Sequence, residues 1–126
     1  MLIRFVVQRG SETFVFWATP GGCVEDGETE AETARRELIE ELHLDIPLTG
    51  PVHTAVDRFE HEGALVANTD VFFVGRCHRG APRLDALTAT ERAAMQEIRW
   101  WSAEGIERTT ETIFPVDLAT VIRAVV

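Results

Sequence analysis

The chain opens on an apolar run with β-branched residues, Leu2 to Gln8, which predicts a strand. Arg9-Gly10-Ser11-Glu12 is a turn signal, and Thr13 to Ala18 predicts a second strand folded back on the first as a hairpin. Thr19-Pro20-Gly21-Gly22 stops it. Proline has no N–H for a ladder, and the glycines admit backbone angles that other residues avoid. From Thr29 the period becomes helical. Ala31, Ala34, Leu38 and Leu42 recur at three- and four-residue steps and fall in one narrow arc, the buried face. Thr29 with Glu32 fits a capping box. The helix should run to about His43, before Pro47 and Gly50-Pro51. Beyond it the pattern predicts a strand over about 52–59 and a turn at His61-Glu62-Gly63. A further strand follows within 64–77, strongest at Asp70 to Val74, and then a loop from Arg79 to Thr88. Thr88 to Met95 reads as a short helix and Ile98 to Ser102 as a strand. Pro115 opens a last helix with Leu118, Val121, Ile122 and Val125 on one face. Strands, helix, strands, helix, without βαβ alternation, favour a mixed α+β layered domain over a Rossmann type.

Length and composition narrow this. The chain has 126 residues, about the size of one domain. Hydrophobic residues make up 45% and charged residues 26%, as in globular rather than disordered chains. With 21 acidic and 12 basic residues the net charge is -9, which argues against a nucleic-acid polymer as partner, since phosphate neutralisation needs clustered cations. All basic residues are Arg, so lysine Schiff-base and P-loop lysine chemistry are excluded. Cys23 and Cys77 form no CxxC pair and suggest no zinc site; two buried or half-buried free thiols are expected. No apolar run approaches the ~20 residues that span a bilayer, and Met1-Leu2-Ile3-Arg4-Phe5 does not read as a signal peptide, so no membrane partner and a cytoplasmic location are expected.

The chemistry concentrates in one segment. Nine of the 21 acids lie between Gly22 and Asp45. Glu37, Glu40 and Glu41, at i, i+3 and i+4, share about 100° of helix arc, so their carboxylates converge at the rim of the apolar stripe. Like charges at this spacing destabilise a bare helix, and these sit in the unfavourable half of its dipole. Arg35 and Arg36 can offset part of that. A hard divalent cation, Mg²⁺ or Mn²⁺, does so better. On spacing alone a solvated Glu-rich face remains the other reading.

The context reaches further than the spacing. Gly22, Glu28, Arg36, Glu37, Leu38, Glu40, Glu41 and Leu44 fit G-x5-E-x7-R-E-U-x-E-E-x-G-U, where U is a bulky aliphatic, at eight of nine fixed positions over 23 residues. The chain resembles the Nudix hydrolase (MutT-like) family. Trp17-Ala18-Thr19-Pro20-Gly21-Gly22 resembles the family's entry to this box, and Arg99-Trp100-Trp101 and Phe114-Pro115 are also familiar. The resemblance implies a Nudix-type α/β/α sandwich around a mixed sheet, one domain over 1–126 with its box at 22–44. It implies a metal-dependent pyrophosphohydrolase in which water attacks phosphorus of a small-molecule diphosphate, a nucleoside di- or triphosphate derivative. Glu37, Glu40 and Glu41 would bind the metal with the Gly22 carbonyl, and Arg36 and Glu28 would pair to hold loop and helix together. Glu37 is the first candidate for general base, Glu91 the second and Glu97 the third. A nucleotide-sugar or dinucleotide pyrophosphatase on the same site, and a non-catalytic binding or regulatory Nudix domain, are the alternatives.

Two departures stand out. His43 occupies the family's Gly position, where the helix closes in a left-handed conformation. A strained helix end without a catalytic role is expected there. Only 21 residues precede Gly22, so the chain is expected to begin one strand late, and dimerisation across an unpaired edge would satisfy the freed backbone groups. Substrate-binding residues are not assigned. Trp17, Trp100, Trp101, Phe59, Phe72 and Phe73 are stacking candidates but fit the core better, and Arg4, Arg58, Arg76 and Arg79 are read as surface residues. His53, His61 and His78 show no partner spacing.

Overall fold

Gly10, at φ 62, turns strand β1 (Leu2–Arg9) back as β2 (Glu12–Ala18), with Ile3 opposite Ala18 and Arg9 opposite Glu12. This is the predicted hairpin. A computed structural model describes residues 1–85 and 87–126, with the backbone alone at 59–61. The predicted helix follows as α1 (Glu30–Leu42). Strands β3 (Thr49–His61) and β4 (Ala64–Val74) form a second hairpin, whose turn holds Glu62 at φ 51 and Gly63 at φ 80. After a loop that includes Ala86, which lies outside the described residues, come α2 (Ala89–Ala94), β5 (Met95–Arg99), α3 (Ala103–Arg108), β6 (Ile113–Phe114) and α4 (Leu118–Val125).

The main sheet is mixed, in the order β5-β1-β2-β6, with β6 parallel to β2 and the other pairs antiparallel. Because β1 is paired on both sides, the open edges of this sheet lie at β5 and β6. Alternation along β1 builds the layers, since neighbouring side chains of a strand point to opposite faces. Ile3 packs on the α1 side with Leu42, Leu44, Leu87 and Met95. Leu2 packs on the other side with Trp17 and Leu118, joined by Ile106 of α3 and Ile122 of α4. The fold is therefore the expected α/β/α sandwich around a mixed sheet.

Three expectations need correction. The strand read at Ile98 to Ser102 lies at Met95–Arg99, because buried Met95 pairs with Phe5 past a bulge at Gln96 in β5. Trp101 is off the strand and packs edge-on against Trp17. Helix α3 and strand β6 occupy residues given no element in the sequence reading. Both cysteines are free, but Cys23 is exposed; only Cys77 is half-buried.

Candidate active site

The site is built where the loop after β2 meets α1. Thr29 caps the helix: Glu32 N–H donates to Thr29 Oγ1 (3.1 Å), and Thr29 N–H donates to Glu32 Oε1 (3.1 Å). This reciprocal cap fixes the direction in which the loop enters. Glu28, one residue earlier, folds back along the first two turns. Its Oε2 accepts Arg36 Nε at 2.7 Å, and its Oε1 accepts Arg36 Nη2 at 3.1 Å. The buried Thr33 hydroxyl and the Glu25 N–H also donate to Oε1, at 2.6 and 3.1 Å. The Arg36 fork and these two donors hold the Glu28 carboxyl well below its ordinary range, to about 2. The hydrogen bonds to Glu28 first, then the charges of Glu25 and Glu28 and the bond to Glu37, push the Arg36 guanidinium further up. Arg36 also donates to Glu37 Oε1 (2.9 Å), Glu40 Oε2 (3.2 Å) and the Cys23 carbonyl (3.1 Å). Arg36 therefore spans loop and helix, as a planar multi-donor group can. Arg35 does not share this work, since it pairs with Asp45 at 2.9 and 3.1 Å.

The three helix carboxylates reach graded depths. Glu40 is exposed, Glu37 half-buried and Glu41 only 5% accessible. Glu37 lies directly over Gly22: a Cβ there would come within 2.2 Å of Glu37 Oε1. Glycine at this position is thus a matter of space. Burial pushes the Glu41 carboxyl up to about 8, reinforced by its hydrogen bond to Glu37 and by the charges of Glu37 and Glu91, while a Gly21 backbone hydrogen bond opposes the shift. Its Oε1 is buried without a partner. The charges of Glu37 and of Glu91, which belongs to a second helix, therefore both bear on the buried Glu41.

Glu91 comes to this cluster from α2, where it also completes a second capping box: Thr88 N–H donates to Glu91 Oε1 (3.0 Å), and Glu91 N–H donates to Thr88 Oγ1 (3.2 Å). Glu97 is not brought there. It contacts Arg99 at 3.8 Å, on a strand whose neighbouring Ile98 turns to the α1 side. His43 takes the left-handed conformation expected at the Gly position, φ 54 and ψ 33, and its N–H donates to Ile39 O at 3.1 Å. Among the stacking candidates, Trp17 is fully buried with its Nε1 donating to Glu111, and Trp100 is partly exposed with its Nε1 on Arg79 O. The side chains of Phe59 and His61 lie outside the described residues. His53 gained a neighbour that spacing did not show: its Nε2 lies 3.1 Å from Asp117 Oδ2, without hydrogen-bond geometry. Thr33 and the Cys23 carbonyl also serve the site, and neither carried a signal beyond its place near the box.

Among the described residues no three acidic, His or Cys side chains already stand as a metal cage. Their chemistry nevertheless fits a hard cation. The donors are carboxylate oxygens, one of them buried and unpartnered, and Glu40 is held only through Arg36 among the described contacts.

Residues 4–120 match the family model of the NUDIX domain. The chain belongs to the Nudix family, and with it goes a pyrophosphohydrolase-type function on nucleoside diphosphate derivatives in general terms. No curated protein and no solved structure matches it. Among the described residues no helix is long and apolar enough to cross a membrane.

Proposed function

We propose that residues 1–126 form one Nudix domain that is a divalent-metal-dependent hydrolase, cleaving the diphosphate bond of a nucleoside di- or triphosphate derivative by attack of water on phosphorus. The observation that carries this is the meeting of Glu37, Glu41 and Glu91, with one Glu41 oxygen buried and unpartnered. Glu37, Glu40 and Glu41, with the Gly22 carbonyl, would hold Mg²⁺ or Mn²⁺. The metal supplies charge neutralisation on the phosphates and a more acidic water. Arg36 and Glu28 keep the loop at its distance from the helix, so that Gly22 stays against Glu37. Glu37 is the general base of first choice and Glu91 the second, since both face the same place. The left-handed His43 keeps the helix end in the shape that a glycine would give it, which removes one motive for a non-catalytic reading. Among the described residues the main sheet ends at β5 and β6, and these edges leave room for a homodimer; light scattering that gives a fully stable monomer counts against it.

The test is a panel of diphosphate compounds with Mg²⁺, scored for released phosphate or pyrophosphate. Activity lost in Glu40→Gln and on chelation supports the enzyme. Tight metal binding without turnover of any compound favours a binding module instead.

A further inference from the structure

The end of α1 is tied to the loop that leads to α2. Arg83 N–H donates to Leu42 O at 3.0 Å, taking one of the carbonyls that a helix end leaves free. Leu84 and Leu87 pack with Leu42 and Leu44. His43 Nε2 stands 2.6 Å from Asp85 Oδ1, and the other oxygen of Asp85 is 3.8 Å from Arg83 Nε. Four residues after Leu87 comes Glu91, which acts on Glu41. A non-glycine residue in the left-handed region is strained, a cost that glycine avoids. The backbone of residue 43 would thus be better served by glycine, whereas its side chain has a partner on the loop.

We infer that His43 and Asp85 are a positioning pair that fixes Arg83–Asp85 on the end of α1 and so helps set Glu91 beside Glu41. The pair touches neither substrate nor metal. Its functional weight rests on the reading that Glu91 serves the reaction; its structural part does not.

Amide hydrogen exchange on the metal-free protein tests the structural part. In His43→Gly the melting temperature stays level or rises, because the strain is relieved. The amides of Arg83 and Glu91 nevertheless exchange up to about fivefold faster, the most that one exposed polar pair is worth. Asp85→Asn gives the same local change without the relief, and the double variant adds nothing at these two amides. Unchanged exchange there in both single variants overturns the pair. So does acceleration spread over the whole chain in step with a lower melting temperature. Turnover of a diphosphate substrate tests the action through Glu91. His43→Gly lowers kcat about fivefold with KM within about twofold, and lowers it no further in a Glu91→Gln background. Additive losses, or a change in KM alone, overturn that action. A wild type that cleaves no compound overturns the enzymatic reading and, with it, the role through Glu91, while exchange still decides whether the pair holds the loop.

Discussion

At Gly22 the site depends on an absent methyl group. The atom that a Cβ would strike is the end of a flexible side chain, Glu37 Oε1 at 2.2 Å. Gly22→Ala should therefore fold and move Glu37. Half-saturating Mg²⁺ is expected to rise about 10- to 100-fold, the range for disturbed ligand support, with the melting temperature nearly unchanged. Metal titration beside a thermal melt checks this, and a large fall in melting temperature with unaltered metal dependence argues that Gly22 serves the backbone instead. Glu28 offers a pH signature. Its carboxyl sits near 2 in the folded chain, chiefly through Arg36, against 4.5 as the ordinary value. A depressed pKa contributes stability above the unfolded value and loses it as pH falls through the folded one. Urea midpoints should thus fall between pH 4.5 and 2, less steeply in Glu28→Gln than in wild type; equal slopes contradict the assignment. The Glu28–Arg36 pair was legible in the motif. Thr33 was not, because a threonine inside a helix carries no local sign that a loop will fold back onto its hydroxyl.

At the scale of elements, strong periodicity and caps were readable, and short or bulged elements were not. Helix α1 lies within one residue of its predicted ends because Thr29 and Glu32 mark the start and the apolar stripe runs to Leu42. Thr29→Ala removes a side-chain acceptor from the first turn and should cost about 1 kcal/mol. It also loosens the residue next to Glu28, so the loss in chemical denaturation should come with weaker metal binding. A variant of full stability shows that the reciprocal Glu32 contact suffices alone. Helix α3 escaped notice although α2, equally six residues long, did not: Thr88 with Glu91 makes a full capping box, whereas the Ser102 cap, bonded to Gly105 N–H at 2.9 Å, meets a glycine that returns no contact and disfavours a helix. The displacement of β5 has another cause. Trp100 and Trp101 look like strand residues by type. At one end of β5 a bulge at Gln96 brings Met95 opposite Phe5, while at the other β1 begins at Leu2, opposite Arg99, which leaves the tryptophans beyond the strand end. There Arg99 lies over the rings of Trp17 and Trp101, at 4.7 and 5.4 Å.

For the molecule as a whole, the net charge of -9 hides an uneven cost. Most acids are exposed, where water screens them. Glu41 is not, and its neighbours Glu37 and Glu91 repel its charge further. Spacing placed three glutamates on one arc but could not tell their depths, since depth depends on which distant segments pack around the helix. With a folded pKa near 8 against 4.5 as the ordinary value, Glu41 keeps its proton in the folded chain while the unfolded chain has lost it. Stability from this group is present below pH 4.5 and is lost as pH rises through 8. A bound divalent cation reverses the preference, because it stabilises the ionised carboxylate and binds the folded state alone. Unfolding midpoints taken with chelator should therefore fall from pH 5 to 8. Added Mg²⁺ should restore them most at the upper end, whereas Glu41→Gln should be flat with pH and should gain little from Mg²⁺. A wild type whose midpoint rises over this range without metal shows that Glu41 is already ionised and paired. The acidic cluster would then be built for the chain's own arginines and not for a cation.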